Sequence, residues 1–311
     1  EIVAGARNTC AIIPNSHTYC WGYNYYGQLG NGGNVDYEYS PIPPSVSQGN
    51  RVSSISPSYY FTCAAMEDGS AYCWGDNANG NLGDGSYNDS NLPVRVDLPV
   101  GSNVVQISAG GSQNTMFACA VLDNGSAYCW GDNGYGNLGD GTTTDRNTPV
   151  QVQYSGAVSI SAGVGSACAL FEDNSVKCWG GSHFDYENGI DISIPGGSDV
   201  ISIESGYDHS CALLENGSVY CWGSNSNGKL GDGTTTHSHT NPKQVLLPSG
   251  SYATAISLGN SHTCALMDNG SAYCWGGNNN GAIGGSDSSD SLTPSIISIP
   301  GNDSVVGISA G

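Results

Sequence analysis

The sequence predicts an all-β fold, a β-propeller stapled by disulfides, and three features predict it. The twelve cysteines fall into six pairs: Cys10 with Cys20, Cys63 with Cys73, Cys119 with Cys129, Cys168 with Cys178, Cys211 with Cys221 and Cys264 with Cys274, each ten residues apart. Every second cysteine is followed by Trp-Gly, which accounts for all six tryptophans: Trp21, Trp74, Trp130, Trp179, Trp222 and Trp275. The first cysteines step by 53, 56, 49, 43 and 53 residues. A period near fifty suits a four-stranded propeller blade.

The fifth unit shows how each element is read. Val200-Ile-Ser-Ile-Glu-Ser-Gly206 is a β-rich leading strand. Next, Cys211-Ala-Leu-Leu and Ser-Val-Tyr-Cys221 flank Glu-Asn-Gly. This is a hairpin with Gly217 in the left-handed position, a type I turn followed by a bulge. The register then sets Leu214 opposite Ser218, Leu213 opposite Val219 and Cys211 opposite Cys221. A directly opposed, non-hydrogen-bonded pair has Cα atoms ~4.5 Å apart, within disulfide reach. Leu213, Val219 and the disulfide share one face; Ala212, Tyr220 and Trp222 share the other. Both faces are largely apolar, so each sheet is expected to be covered on both sides, as stacked blades require.

A glycine-rich stretch follows Trp-Gly. It reads Gly27-Gln-Leu-Gly30, Gly80-Asn-Leu-Gly-Asp-Gly85, Gly136-Asn-Leu-Gly-Asp-Gly141, Gly228-Lys-Leu-Gly-Asp-Gly233 and Gly281-Ala-Ile-Gly284. A proline then precedes the next strand, at Pro41, Pro93, Pro149, Pro242 and Pro294. Proline suits a strand's first residue or an edge, where no ladder donor is needed.

Trp-Gly-x-Asn, then Gly-Gln-Leu-Gly, then proline and a β run resembles the regulator-of-chromosome-condensation repeat. His-x-Cys-Ala-Leu at His209 and His262 fits the same pattern. The resemblance spans essentially the whole chain and implies a ring of four-stranded blades, usually seven. Members of the family range from a nuclear exchange factor for a small GTPase to a secreted inhibitor of β-lactamases, so the fold leaves the function open. Two departures stand out. The paired cysteines point to an oxidising compartment, against a nuclear role. The fourth unit has Gly-Gly-Ser-His-Phe-Asp after Trp179 in place of Gly-x-Leu-Gly.

One propeller domain over 1–311 is expected, with repeats at about 1–51, 52–103, 104–156, 157–199, 200–253 and 254–303. Residues 304–311 add a strand that starts or closes a blade, because Ile308-Ser-Ala-Gly311 repeats Ile107-Ser-Ala-Gly110 and Ile160-Ser-Ala-Gly163. Six hairpins against seven leading strands leave six or seven blades. The seventh strand belongs to a longer chain, closes a ring, or pairs with the next molecule.

Composition narrows the partners. The net charge is −20 with seven basic residues, spread singly at Arg7, Arg51, Arg95, Arg146, Lys177, Lys229 and Lys243. Nucleic acid needs clustered cations, so no nucleic-acid partner is expected. No apolar run reaches the ~18 residues of a membrane span, so no membrane insertion is expected. Cysteine usage points to the extracellular space or a cell surface.

Candidate chemistry is sparse. Disulfides in all six pairs are the firmest expectation, since zinc sites favour Cys-x₂₋₄-Cys. Glycosylation candidates are the sequons at Asn88, Asn124, Asn216, Asn269 and Asn302. Those at Asn124, Asn216 and Asn269 lie in Asn-Gly-Ser turns, where Asn-Gly also serves the turn itself. Asp76, Asn77, Asp84, Asp132, Asn133 and Asp140 carry oxygens suited to calcium, but Asx turns explain them more simply. His237 and His239 are weak metal spacing, and His209 with His262 suit internal hydrogen bonds. No nucleophile elbow or phosphate loop occurs. No metal, cofactor or catalytic residue is assigned.

Two functions lead, ahead of a weaker third, a hydrolase whose paired carboxylates a repeat sequence does not reveal. One is a non-enzymatic structural subunit that assembles with itself head to tail, as a filament or surface layer, with or without a glycan coat. The other is a secreted module for a protein or glycan partner. Tyr23, Tyr25, Tyr26, Tyr37, Tyr39, Tyr59 and Tyr60 crowd the first two units and suit an aromatic contact patch.

Overall fold

The structure, a computed structural model, describes all residues except 15, 16, 47–49, 182–188, 285–288 and 300–302. The described residues form six four-stranded sheets, each made of strands consecutive in sequence. The fifth runs Val200–Ser205, His209–Leu214, Val219–Gly223, Ser238–Gln244, every neighbour antiparallel. The other leading strands begin at Ile2, Val52, Val104, Ala157 and Ala253. Residues 304–311 join no ladder; Val305 N–H donates to Gly270 O and Ala310 N–H to Ser257 Oγ. The fold is all-β, with propeller blades as its unit.

The chain divides into two compact units, residues 1–173 with 178–190 and residues 174–177 with 191–311. The first holds sheets one to three, the second holds five and six, and the division passes through sheet four.

The hairpin register follows the cysteine spacing. Cys211 faces Cys221 and Leu213 faces Val219. All six expected disulfides form: Cys10 bonds to Cys20, Cys63 to Cys73, Cys119 to Cys129, Cys168 to Cys178, Cys211 to Cys221 and Cys264 to Cys274. Their Cα separations are 4.0 to 4.1 Å. That is slightly closer than the ~4.5 Å of an ordinary opposed pair. The second cysteines Cys129, Cys178 and Cys274 lie in the strands Ser126–Gly131, Val176–Gly180 and Ala272–Gly276, just ahead of the buried tryptophans. Gly217 has φ +75° in the turn, and the fourth hairpin places Asn174 there at φ +66°. Asparagine is among the few residues that tolerate this region.

The prolines lie within strands rather than ahead of them, and of the two places that suit proline they take the edge. Pro41, Pro93, Pro149, Pro242 and Pro294 lie inside the fourth strands, Tyr37–Ile42, Ser90–Arg95, Arg146–Ser155, Ser238–Gln244 and Ser291–Ile296. Each of these strands is the outer edge of its sheet. One side of an edge strand needs no donor, so an interior proline costs no ladder bond there. The register also shifts beside it, as between Cys73 and Gly75.

Apolar cores lie between consecutive sheets within each unit, as two covered faces require. Cys10, Cys20 and Leu29 pack on Ile55, Met66 and Trp74. Leu213, Val219 and Leu230 pack on Ile256, Met267 and Trp275. A polar latch crosses each of these cores. The Trp74 indole donates to Gln28 O, Trp130 to Asn81 O, Trp179 to Asn137 O and Trp275 to Lys229 O, each at 2.9 Å. The accepting residue is always the x of Gly-x-Leu-Gly in the preceding unit. The glycine after that leucine lies against the same indole. A Cβ on Gly83, at φ +67°, would sit 2.8 Å from Trp130 ring atoms.

Two of these carbonyls accept a second bond. Thr62 Oγ1 donates to Gln28 O and in turn accepts from Asn8 Nδ2. Thr263 Oγ1 donates to Lys229 O, so its hydroxyl proton is used. His209 Nε2, 2.8 Å from Thr263 Oγ1, must therefore be the protonated nitrogen. Burial, reinforced by the Lys229 charge, lowers the His209 pKa to about 3, so the ring is neutral. Lys229 is buried and its ammonium pairs with Asp208 at 2.6 Å.

A further tie joins leading strands. Ser56 Oγ accepts Ala109 N–H and Ser108 Oγ accepts Ala162 N–H. The serine position is the one opposite the first cysteine, and the fifth unit places Glu204 there. Glu204 keeps some accessible surface, but its carboxylate is surrounded by protein atoms, and burial pushes its pKa up to about 7.

These contacts set the cost of particular substitutions. Gly83→Ala combines a left-handed backbone with a clash on Trp130 and is expected to cost about 3 kcal/mol. Gly101→Ala shares the left-handed φ, at +87°, with no atom within 4 Å, and is expected to cost about 1 kcal/mol. Urea unfolding midpoints of the two variants measure the difference, and equal costs would refute the latch. Glu204 binds its proton more tightly when folded, so stability falls as pH rises from the unfolded value near 4.5 through 7. His209 acts oppositely, and stability falls as pH drops below 6.5. Glu204→Gln is therefore expected to add about 1–3 kcal/mol at pH 8 relative to its effect at pH 4.5. Melting curves across that range test the sign.

Candidate functional site

In a meander of four strands, the loop between strands one and two and the loop between strands three and four lie at one end of the sheet. The hairpin turn lies at the other. Tyr23, Tyr25 and Tyr26 follow Trp21-Gly22 at the end of Thr18–Tyr23. Tyr37 and Tyr39 open the outer strand of the same sheet, with Tyr23 paired to Tyr37. Tyr59 and Tyr60 precede Phe61–Met66 of the second sheet. Two loops and the strand ends beside them thus converge at the Trp-Gly end of two adjacent sheets.

All seven tyrosines join one connected cluster. Tyr23 lies 5.2 Å from Tyr37 and 5.9 Å from Tyr60, centroid to centroid. Tyr26 and Tyr59 each lie 4.6 Å from Tyr60. Tyr25 stacks on Tyr23 at 6.4 Å and 12°, and Tyr39 on Tyr37 at 6.1 Å and 15°. Tyr60 is buried as the root of the cluster, whereas Tyr25, Tyr37 and Tyr39 are 55%, 51% and 89% exposed. Paired rings that remain this open leave a large amphipathic area for a partner.

Arg7 completes the cluster. Its guanidinium carbon sits 5.4, 5.0 and 5.5 Å from the ring centres of Tyr23, Tyr59 and Tyr60, within cation–π range. It also donates to Tyr59 Oη at 3.1 Å. That hydrogen bond leads the causes holding the guanidinium pKa above its ordinary value. Burial, followed by neighbouring charge, raises the Tyr23 and Tyr26 phenols. Sequence reading counted Arg7 only as a scattered cation. The repeat did carry a signal: Arg7 and Tyr60 both stand three residues before the first cysteine of their units.

The oxygen-rich loops are structural. Asn77 Oδ1 accepts Leu82 N–H, and its Nδ2 donates to Ser86 O and Asn88 O. Asn133 repeats this with Leu138, Thr142 and Thr144. Asp84 and Asp140 each accept the N–H two residues on, the Asx turns expected, and Asp140 also pairs with Arg146 at 3.0 Å. Asp76 and Asp132 are buried, which raises their carboxyl pKa values. His237 Nδ1 accepts Asn225 N–H, and its ring stacks on His239 at 5.8 Å. Among the described residues no three metal-ligating side chains converge.

Asn124, Asn216 and Asn269 are exposed on hairpin turns, at the end of their sheets opposite the Trp-Gly loops. In each, Oδ1 accepts the N–H of the serine two residues on. Asn88 is exposed in a loop at the Trp-Gly end, and Asn302 lies outside the described residues.

Comparison with known proteins agrees with the repeat. The model of the regulator of chromosome condensation (RCC1) repeat matches residues 15–65, 68–117, 124–170, 216–266 and 269–311. The ultraviolet-B receptor UVR8 of Arabidopsis thaliana is 30% identical over the whole chain, which spans 60% of that receptor's length. The structure of yeast RCC1 (Prp20) bound to Kap60 superposes with a TM-score of 0.84 at 21% identity, covering 97% of this chain and 75% of that one. The CRINKLY ectodomain of the Arabidopsis thaliana receptor kinase ACR4 superposes with a TM-score of 0.56 at 20% identity, covering 88% of this chain and 78% of that one. The chain belongs to the RCC1 repeat family.

Proposed function

We propose that the chain is a non-enzymatic extracellular binding module whose tyrosine face, at the Trp-Gly end of the first two sheets, docks a protein partner. The connected cluster carries this reading: seven tyrosines from two loops and the strand ends beside them meet, and three of them stay open to solvent. Tyrosine is enriched where binding energy concentrates, because it brings large area at low entropic cost. Yeast RCC1 is held by a protein partner, Kap60, in its solved complex. The six disulfides support an oxidising location, and the fold's likeness to a receptor-kinase ectodomain is in keeping with it. Glycans on the hairpin turns at Asn124, Asn216 and Asn269 would leave the tyrosine end clear.

Assembly of copies is the second reading. It rests on the leading strand repeated in residues 304–311, where Ala310 N–H donates to Ser257 Oγ as Ala109 N–H does to Ser56 Oγ and Ala162 N–H to Ser108 Oγ.

Mild iodination of native material, unreduced and on its source surface, separates the two. Tyr252 is 55% exposed on the hairpin-turn side, where Asp268 N–H donates to its carbonyl, and serves as the internal reference. Binding through the aromatic face predicts that Tyr25, Tyr37 and Tyr39 label several-fold less than Tyr252 in place, and recover once the protein is released. Equal labelling in both states, with filaments seen by electron microscopy, would overturn the binding reading in favour of assembly.

A further inference from the structure

We infer that the tyrosine face recognises a cationic side chain, arginine foremost, presented by an extended basic segment of a partner protein. Arg7 holds part of the same aromatic site from within the chain. This deepens the binding-face reading above and rests on it.

Arg7 shows what the rings accept. One guanidinium already lies 5.0 to 5.5 Å from three ring centres, a geometry that rewards cations and gives nothing to anions. The rings beyond it continue the same surface. Tyr23 neighbours the Arg7 guanidinium and also Tyr25 and Tyr37. Tyr25, Tyr37 and Tyr39 are open, and the Arg7 guanidinium lies over Tyr23, Tyr59 and Tyr60 rather than over them.

The surrounding charge has the matching sign. Asp36 acts electrostatically on Tyr23 and Asp76 on Tyr26. The whole chain carries −20, a field that draws basic segments in and slows anionic ones. The same field argues against a second copy as the occupant. A copy brings another −20 and few free cations, because Arg146, Lys177 and Lys229 are each paired with an aspartate. A neutral glycan would stack on the rings but would draw nothing from the carboxylates.

The test uses the full chain and a fluorescein-labelled peptide of four Gly-Ser-Arg repeats, with its citrulline counterpart as the uncharged isostere, at about 0.15 M salt. The arginine peptide is expected to bind at least about tenfold more tightly than the citrulline one. The triple variant Tyr25→Leu, Tyr37→Leu, Tyr39→Leu removes exposed rings without changing charge, and is expected to weaken the arginine peptide by about tenfold or more. Arg7→Gln frees the occupied rings and is expected to tighten binding several-fold. Arg51→Gln makes the same charge change at the opposite end of the second sheet, where Arg51 O accepts Glu67 N–H beside the hairpin turn, and is expected to leave binding unchanged. Equal binding of the two peptides, or equal effects of the Arg7 and Arg51 changes, would overturn the inference. Shielding of Tyr25, Tyr37 and Tyr39 in the wild type on native material, together with full affinity of the triple variant for the arginine peptide, would overturn the cation assignment alone and leave the binding face standing. Self-association of the wild type that the triple variant abolishes would assign the face to a second copy instead.

Discussion

The indole N–H of each latch tryptophan has no water to turn to, and the structure is organised around that constraint. A buried donor left unpaired costs roughly 1–3 kcal/mol, so an acceptor must be delivered from the neighbouring sheet. Gly-x-Leu-Gly delivers it. The leucine buries itself, the following glycine takes a left-handed turn no side chain would permit against the indole, and the carbonyl of the residue before the leucine is aimed at Nε1. Asn77 and its counterparts then hold the loop in shape from beneath, through the leucine N–H and the loop carbonyls. Tryptophan, leucine, glycine and asparagine are thus one device. The fourth unit has no Gly-x-Leu-Gly after Trp179, and Trp222 Nε1 is buried with no acceptor among the described residues.

Because the latch and the disulfide settle how each sheet is built and stacked, the remaining positions are released for other work. The position three before the first cysteine shows the range. It holds Arg7, Tyr60, Met116, Asp208 and Ser261 in different units. Between the first two units this produces a guanidinium among rings, and within the fifth an exposed aspartate, Asp208, that pairs with the buried Lys229. Such a pair is weak evidence for stability, since the desolvation of the buried Lys229 offsets much of the attraction to an aspartate that water still reaches. Here the ammonium also sits beside a histidine kept neutral by burial, so the cluster holds one positive charge where a protonated His209 would add a second.

Much of the fold was legible because it repeats. Ten residues between cysteines, with glycine in the turn, admit a single pairing, and Cys211 faces Cys221 as that pairing demands. The same register sets Cys119 against Cys129 and Cys264 against Cys274. It survives in the fourth unit, where Cys168 bonds to Cys178 although asparagine replaces the turn glycine. The tyrosine cluster was legible as a crowding in two units, and topology explains why crowding became contact: loops far apart in sequence share one end of the sheets. Three things were not legible. The prolines look like strand starts because a residue that breaks a ladder normally lies outside it, and only the sheet order shows that these strands have a free edge. Lys229 reads as a surface cation, since nothing local announces that the x of Gly-x-Leu-Gly is buried and that Asp208 lies in reach. Arg7 is a lone cation until the units are superimposed.

That last case bears on how function arises in such a chain. A position equivalent from unit to unit lies at an equivalent place on its sheet, and in the first two units the residues at one such position, Arg7 and Tyr60, meet. Neither alone makes a site, because a tyrosine against methionine or serine would be packing, and an arginine without rings would be a solvated charge. Their chemistry exists only as a pair, and the extra rings of the first unit extend it outward to Tyr39. The repeat thus supplies, in these two units, a separation at which two side chains are neighbours, and binding chemistry is written by varying those two while the latch beneath stays the same.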